Sequence, residues 1–229
     1  MDAGVLSDSG GRLGNVGQLR GGPLWRDPPD RLHADQVRQE IHFLLRGPER
    51  PDHQARLSAA WLGSGVTGEI PRSVLEIGYG TGTFIEAAKI TGVADCAGCD
   101  IAEFPMPQGV RFVGWDEALA GAWDLVAMFD VLEHIPDLGF LSRLKTRHLA
   151  VAVPYCRWRE LGAAGDAWFR TWRMRLPNEH LHHFDPDSLV ALLAYNGYEC
   201  VTLNSFEDGI RLRPGEAGPN ILSGFFRKV

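Results

Sequence analysis

The sequence predicts an α/β fold: a seven-stranded, mostly parallel sheet with helices on both faces, ending in an antiparallel hairpin. Three observations carry this expectation. From Pro71 onward, short β-rich runs alternate with helical segments, the pattern of strands joined by crossover helices. The first of these runs breaks into closely spaced glycines and then enters a helical segment. The last two runs are joined by a loop with no helix in it, a connection that suits antiparallel neighbours. With 229 residues, 45% of them hydrophobic, the chain can build one domain with attachments around a real core.

Taken in order, residues 1–32 hold Gly4, Gly10, Gly11, Gly14, Gly17, Gly21 and Gly22, then Pro23, Pro28 and Pro29, with no apolar period. This composition predicts a flexible tail or lid. A helical cap is expected over 33–70. Val37, Ile41, Leu44 and Leu45 recur at helical spacing before Gly47-Pro48, and a second short helix fits 51–62. Such a cap is suited to closing over a bound ligand. The main domain, 71–229, has strands expected at 73–77, 95–100, 110–114, 124–129, 148–153, 199–205 and 220–228. Helices are expected at 83–91, 116–121, 137–146 and 186–196, the last framed by Asp185 as N-cap, Pro186 in the first turn and Gly197 at the end. The segment 154–184 is too long for a simple connection and reads as an insertion at one edge of the sheet.

Charge and composition narrow the function. The 23 Lys+Arg against 29 Asp+Glu give a net charge of −6, which disfavours nucleic acid as the partner. No apolar run approaches the roughly 20 residues that span a bilayer, and no secretory leader is evident, so a cytoplasmic protein without membrane contact is expected. Four cysteines in a chain this long do not make a disulfide framework. Cys96 and Cys99 lie three apart on an expected strand and so on opposite faces, which predicts buried thiols and not a shared metal.

The strongest motif is Val74-Leu75-Glu76-Ile77-Gly78-Tyr79-Gly80-Thr81-Gly82-Thr83. Glycines at the end of a strand let the backbone turn sharply and approach a ligand, and the next helix offers unpaired N–H groups. The dinucleotide fingerprint requires glycine where this chain has Thr83, which argues against nicotinamide or flavin. Asp100 ends the second strand and, in a doubly wound sheet, would face the glycine loop and accept both hydroxyls of a ribose. Asp116 follows the third strand, where it would either accept from an adenine amine or cap the next helix.

These residues, with Trp123-Asp124-Leu125-Val126 running into Phe129-Asp130-Val131-Leu132-Glu133-His134-Ile135, resemble the class I S-adenosylmethionine-dependent methyltransferases. The likeness covers about 71–229 and is closest to the small-molecule group that includes ubiquinone-biosynthesis O-methyltransferases. It implies a Rossmann-like sheet and S-adenosylmethionine as cofactor. In that reading Gly78, Gly80 and Gly82 pass the methionine part, Glu76 holds the loop, and Asp100 binds the ribose. Ile101 and Phe129 would flank the adenine or line the pocket, and Asp116 would meet the adenine amine. Tyr79 replaces the small residue usual between the first two glycines, and its ring is expected to narrow the methionine end or fold over it.

For the acceptor, His134 is a candidate base or a brace of its own turn. The insertion interleaves Arg157, Arg159, Arg170, Arg173 and Arg175 with Trp158, Trp168, Phe169 and Trp172, then runs through His180, His182 and His183. His180 or His183 would line the pocket or serve as base, or be structural. Tyr155, Arg170, Trp172, Arg173 and Arg175 are the candidate substrate residues, suited to a planar acceptor carrying carboxylate or phosphate, unless the arginines form a solvated face. No metal is expected: a site of His180, His182 and His183 completed by Cys156 or Asp185 is the weaker reading of that run. The expectation is a small-molecule methyltransferase acting at oxygen or nitrogen, as monomer or homodimer. RNA or protein methylation and an inactive cofactor-binding module are the alternatives.

Overall fold

The computed structural model describes residues 70–102, 104–205, 207–208 and 218–229. The expected tail (1–32) and helical cap (33–70) lie outside the described residues except for Ile70.

Seven strands form one sheet: β1 Ser73–Ile77, β2 Asp95–Cys99, β3 Arg111–Phe112, β4 Ala122–Phe129, β5 Lys145–Pro154, β6 Tyr198–Asn204 and β7 Ile221–Lys228. Their order is β3-β2-β1-β4-β5-β7-β6. β1 to β5 run parallel, and β7 lies antiparallel between β5 and β6. The order reverses between β1 and β4, and a crevice opens at the carboxyl ends of strands at such a switch point.

Side chains alternate across the sheet and build two core layers. Val74, Cys96, Leu125, Ala127 and Ala150 face Phe84, Ile85 and Ala88 of helix α1 (Thr83–Ile90). Leu75, Ala97, Val126, Met128 and Leu149 face the other way. They meet Ala118 of α2 (Trp115–Ala120), Phe140 and Leu141 of α3 (Phe140–Arg143) and Leu189 and Leu193 of α5 (Pro186–Tyr195). Cys96 and Cys99 fall in different layers, and burial pushes both thiols up to about 11. α5 starts with a capping box in which Asp185 accepts from the Ser188 N–H at 2.8 Å and the Ser188 hydroxyl accepts from the Asp185 N–H at 3.0 Å.

Two elements differ from expectation. The strand expected over 110–114 shrinks to Arg111–Phe112, an edge pair whose residues are both exposed. The helix expected over 137–146 is a single turn, because Lys145 and Thr146 pair with Ala122 and Trp123 of β4 and start β5 early. Within the insertion, α4 (Gly165–Thr171) supplies the one α-helix.

Candidate active site

β1 delivers the chain into the glycine loop at the switch point. Gly78 has φ 73° and donates its N–H to the Cys99 carbonyl at 2.7 Å, tying the loop to β2. A Cβ at Gly78 would collide with the Val131 side chain, so position 78 needs glycine for both conformation and space. Gly80, also at positive φ, has nothing among the described residues within 4 Å of where a Cβ would stand. Gly82 is the N-cap of α1 and accepts from the Glu86 N–H at 2.9 Å.

Glu76 is buried on the α1 side and its Oε2 accepts from the Ile85 N–H at 3.1 Å, so it fastens β1 to the first turn of the helix. Burial holds its carboxyl well above the usual range; the Ile85 hydrogen bond opposes this, and the nearby Asp100 charge adds to it. Asp100 receives the Gly80 N–H on Oδ2 and the Ala102 N–H on Oδ1, both at 2.9 Å. A carboxylate oxygen has two acceptor directions, so each keeps capacity for a ligand hydroxyl. Ile101, next to it, is fully exposed.

The remaining candidates on this side fall into different places. Tyr79 is buried: its ring fills the space that the missing Cβ of Gly98 leaves on β2, and its hydroxyl donates to the Phe104 carbonyl at 2.6 Å. Phe129 turns to the α1 layer and stacks edge-on against Phe84, centroids 4.9 Å apart. Asp116 lies exposed in the first turn of α2, whose N-cap is Gly114 with no side-chain cap bond, so the capping alternative is not taken up.

The end of β4 and the insertion are stitched together from distant parts of the sequence. β4 ends at Phe129; Asp130 after it is a non-glycine residue at φ 55°, and a 3-10 turn over Leu132–His134 follows. The insertion returns to this turn. Leu181 and His182 donate their N–H groups to the Glu133 carbonyl at 2.8 and 3.1 Å, and His182 Nε2 donates to the Ile135 carbonyl at 3.0 Å. His134 and His180 then meet edge to face, centroids 4.6 Å apart, with Glu133 Oε1 3.9 Å from His134 Nε2. Burial lowers the pKa of His180, its bond to Met174 opposes this, and the charge of His134 adds to the lowering.

His183 is not part of that group. It packs against Phe169 and Trp172 and lines a cleft of about 510 Å³ with Cys156, Trp158, Arg159 and Asp166. Trp172 is buried and stacks on Trp168 at 5.0 Å. The Arg175 guanidinium lies 5.2 Å over the Phe169 ring, while Arg170 and Arg173 have exposed side chains. Tyr155 donates to Glu160 at 3.0 Å, and burial followed by that carboxylate pushes the phenol up to about 12, which suits a donor and not a base. Glu160 also receives Arg157, and Asp185 pairs with Arg159, so these two arginines are already engaged. A wider cleft, about 980 Å³, opens at the amino ends of the strands among Arg72, Asp124 and Arg147, away from the glycine loop.

Sequence reasoning missed Gly98, Glu133 and Glu160. Glu133 stood inside a motif already quoted, yet its partners come from the insertion, and no spacing rule links the two. No helix among the described residues is long and apolar enough to cross a membrane.

Several known proteins share this architecture. The plantazolicin methyltransferase BpumL, solved with a desmethyl plantazolicin analogue and SAH, is 13% identical with a TM-score of 0.55, over 86% of this chain and 91% of that one. An S-adenosylmethionine-dependent methyltransferase from Mesorhizobium loti is 16% identical with a TM-score of 0.50, over 68% of this chain and 90% of that one. A SAM-dependent methyltransferase from Thermotoga maritima, described as a possible histamine N-methyltransferase, is 18% identical with a TM-score of 0.50, over 84% of this chain and 96% of that one. No curated protein matches the sequence. A family model described as a methyltransferase domain matches residues 31–203. The chain therefore belongs to the methyltransferase-domain family, with the fold of the class I S-adenosylmethionine-dependent enzymes.

Proposed function

We propose that this methyltransferase moves the methyl group of S-adenosylmethionine to an oxygen or nitrogen atom of a small molecule. The observation that carries the reading is the junction of Asp100 with Gly80. A carboxylate with spare acceptor directions stands beside a glycine and an exposed Ile101, which fits a ribose diol with an apolar base next to it. When bound, S-adenosylmethionine supplies a methyl group on a sulfonium sulfur.

The chain's own residues would divide the remaining work. Asp100 would take the ribose hydroxyls, Ile101 one face of the adenine, and exposed Asp116 the adenine amine. The Gly78–Gly82 backbone would lie along the methionine part, with Glu76 and buried Tyr79 keeping the loop in place. In-line transfer needs the acceptor aligned with the methyl group, and alignment alone supplies much of the rate. As the acceptor–carbon bond forms and the carbon–sulfur bond breaks, the acceptor gives up its proton. His134 or His180 stands at the carboxyl end of β4 to receive it. The insertion would form the acceptor wall, with Trp172 and Tyr155 as its buried parts. At least one of Arg170, Arg173 and Arg175 would meet an anionic group on the acceptor. A cytoplasmic setting agrees with four free cysteines.

The test is incubation of the protein with isotopically methyl-labelled S-adenosylmethionine and, separately, fractionated cell metabolites, total RNA and total protein, followed by mass spectrometry. The expected result is label in a single metabolite of low mass. Label confined to RNA or protein, or to no fraction at all, contradicts the proposal.

A further inference from the structure

The group formed by Glu133, His134 and His180 has the chemistry of a metal centre. One ligand atom from each lies within 4.8 Å of the others. His134 Nδ1 lies 2.9 Å from the Glu179 carbonyl oxygen, and His180 Nδ1 lies 2.7 Å from the Met174 carbonyl oxygen. A carbonyl only accepts, so in both neutral rings the proton sits on Nδ1 and the lone pair on Nε2. This is how the outer nitrogen of a metal-bound histidine is held: a backbone acceptor fixes the tautomer and the ring angle. The third partner, Glu133, is 1% exposed in its side chain, with Oε1 3.9 Å from His134 Nε2.

A metal centre accounts for this geometry more fully than the free histidine base considered above, because a bound ion would take the Nε2 lone pairs of both rings. A single catalytic base needs one histidine with a fixed tautomer, whereas two rings are fixed here with the lone pair on the same nitrogen. Glu133 adds a buried carboxylate whose Oε1 lies 3.9 Å from His134 Nε2, within reach of an ion held by the two rings. The backbone bonds from Leu181 and His182 to Glu133 also clamp the two ligand-bearing segments together before any ligand arrives, which is the preorganisation a metal site requires.

We propose that Glu133, His134 and His180 bind one divalent first-row transition ion through Glu133 Oε, His134 Nε2 and His180 Nε2. Two imidazoles and one carboxylate favour zinc, manganese, iron or cobalt over magnesium, which prefers oxygen ligands. Three protein ligands leave a coordination position open, and the 40% exposure of the His134 side chain puts that position on the solvent side, at the carboxyl end of β4. The chemical class of ligand for that position is a hydroxyl or carboxylate oxygen of the methyl acceptor. This role rests on the methyltransferase reading above, whereas the metal site itself does not.

The test uses the full chain, stripped with chelator and titrated with Co2+, read by visible absorption and by metal-to-protein ratio. The wild-type protein is expected to take one Co2+ per chain, with the d–d absorption of a site that contains nitrogen ligands. His180→Ala and the near-isosteric Glu133→Gln are each expected to weaken binding by about 10- to 100-fold. S-adenosylhomocysteine affinity, measured in parallel by calorimetry, is expected to stay within about twofold in both variants, which separates a lost ligand from a lost fold. No saturable Co2+ binding by the wild type, or undiminished binding by Glu133→Gln, overturns the site. Saturable Co2+ binding without S-adenosylhomocysteine binding supports the metal site and refutes the methyltransferase reading instead.

Discussion

The two sides of the crevice are assembled by different means. At the glycine loop, a stretch of a few residues does most of the positioning: Gly78 bonds to Cys99, Gly80 to Asp100, and Glu76 to Ile85 at the start of the next helix. At the end of β4, His134 is held by Glu179, 45 positions away, and the geometry depends on side chains clamped by a separate insertion. A backbone-built site tolerates few changes, because the glycine conformations and carbonyl partners cannot be replaced by other side chains. A site built from side chains on an insertion can be altered one residue at a time while the cofactor stays in place. If the proposed roles hold, the parts that hold the donor are separate from the parts that select the acceptor.

That separation is open to direct attack. The largest effect is expected from Gly78→Ala, which meets the Val131 side chain and forces a residue with a Cβ into φ 73°. Strain and steric conflict of about 1–3 kcal/mol each should reduce S-adenosylmethionine affinity by about 100-fold or more, or unfold the domain. Calorimetry and thermal unfolding distinguish the two, and a stable variant of normal affinity would show that the loop does not set the site.

On the other side, changing Arg170, Arg173 and Arg175 singly to alanine should lower kcat/KM for the acceptor by about tenfold or more in at least one case. Lysine should rescue poorly where the contact is bidentate. Donor affinity should not change. Wild-type kcat/KM in all three alanine variants would assign the arginines to the solvated surface and leave selection to Trp172 and the histidines.

Two smaller effects probe Tyr79 and Glu76. Tyr79→Phe removes the hydrogen bond to the Phe104 carbonyl while keeping the ring against Gly98, so it should cost about 1 kcal/mol of stability and little donor affinity. A large loss of affinity with normal stability would place the Tyr79 hydroxyl in contact with the ligand. Glu76 gives a pH signature. Its carboxyl is raised in the folded chain, so the native state holds the proton longer than the unfolded chain does. Stability is then unpenalised below the ordinary glutamate range and falls as pH rises from there through the folded value. Glu76→Gln keeps an acceptor for the Ile85 N–H and removes the buried charge. Its melting temperature should match wild type near the unfolded pKa of about 4.3 and exceed it at higher pH. A variant less stable than wild type at every pH would mean that the ionised form is the one the fold requires.

The same contrast decides what the sequence could reveal. Leu125–Met128 of β4 and Leu149–Val153 of β5 are continuous apolar runs because both their faces are buried, and Asp185, Pro186 and Gly197 mark a helix by local chemistry alone. The antiparallel placement of β7 was legible because the connection between the last two strands is short. Local pattern failed where pairing competes with it: Lys145 and Thr146 are claimed by β4, and the edge strand β3 keeps only two residues. The loop conformation of Gly78, Gly80 and Gly82 and its junction with Asp100 were legible because a strand, a turn and a helix start are neighbours in sequence. The direction of Tyr79 was not, since it depends on Gly98 in the next strand, and the meeting of Glu133 and His134 with His180 depends on an insertion whose return path has no sequence signature.

If the two sides are separate, the Asp100–glycine junction binds the donor independently of the acceptor wall. Calorimetric titration of S-adenosylhomocysteine into wild type, Asp100→Ala and His134→Ala is the decisive measurement. One-to-one binding is expected for the wild type, affinity weakened by about tenfold or more for Asp100→Ala, and affinity within about twofold of wild type for His134→Ala. Unchanged affinity in a folded Asp100→Ala, or a loss as large in His134→Ala, would contradict that independence.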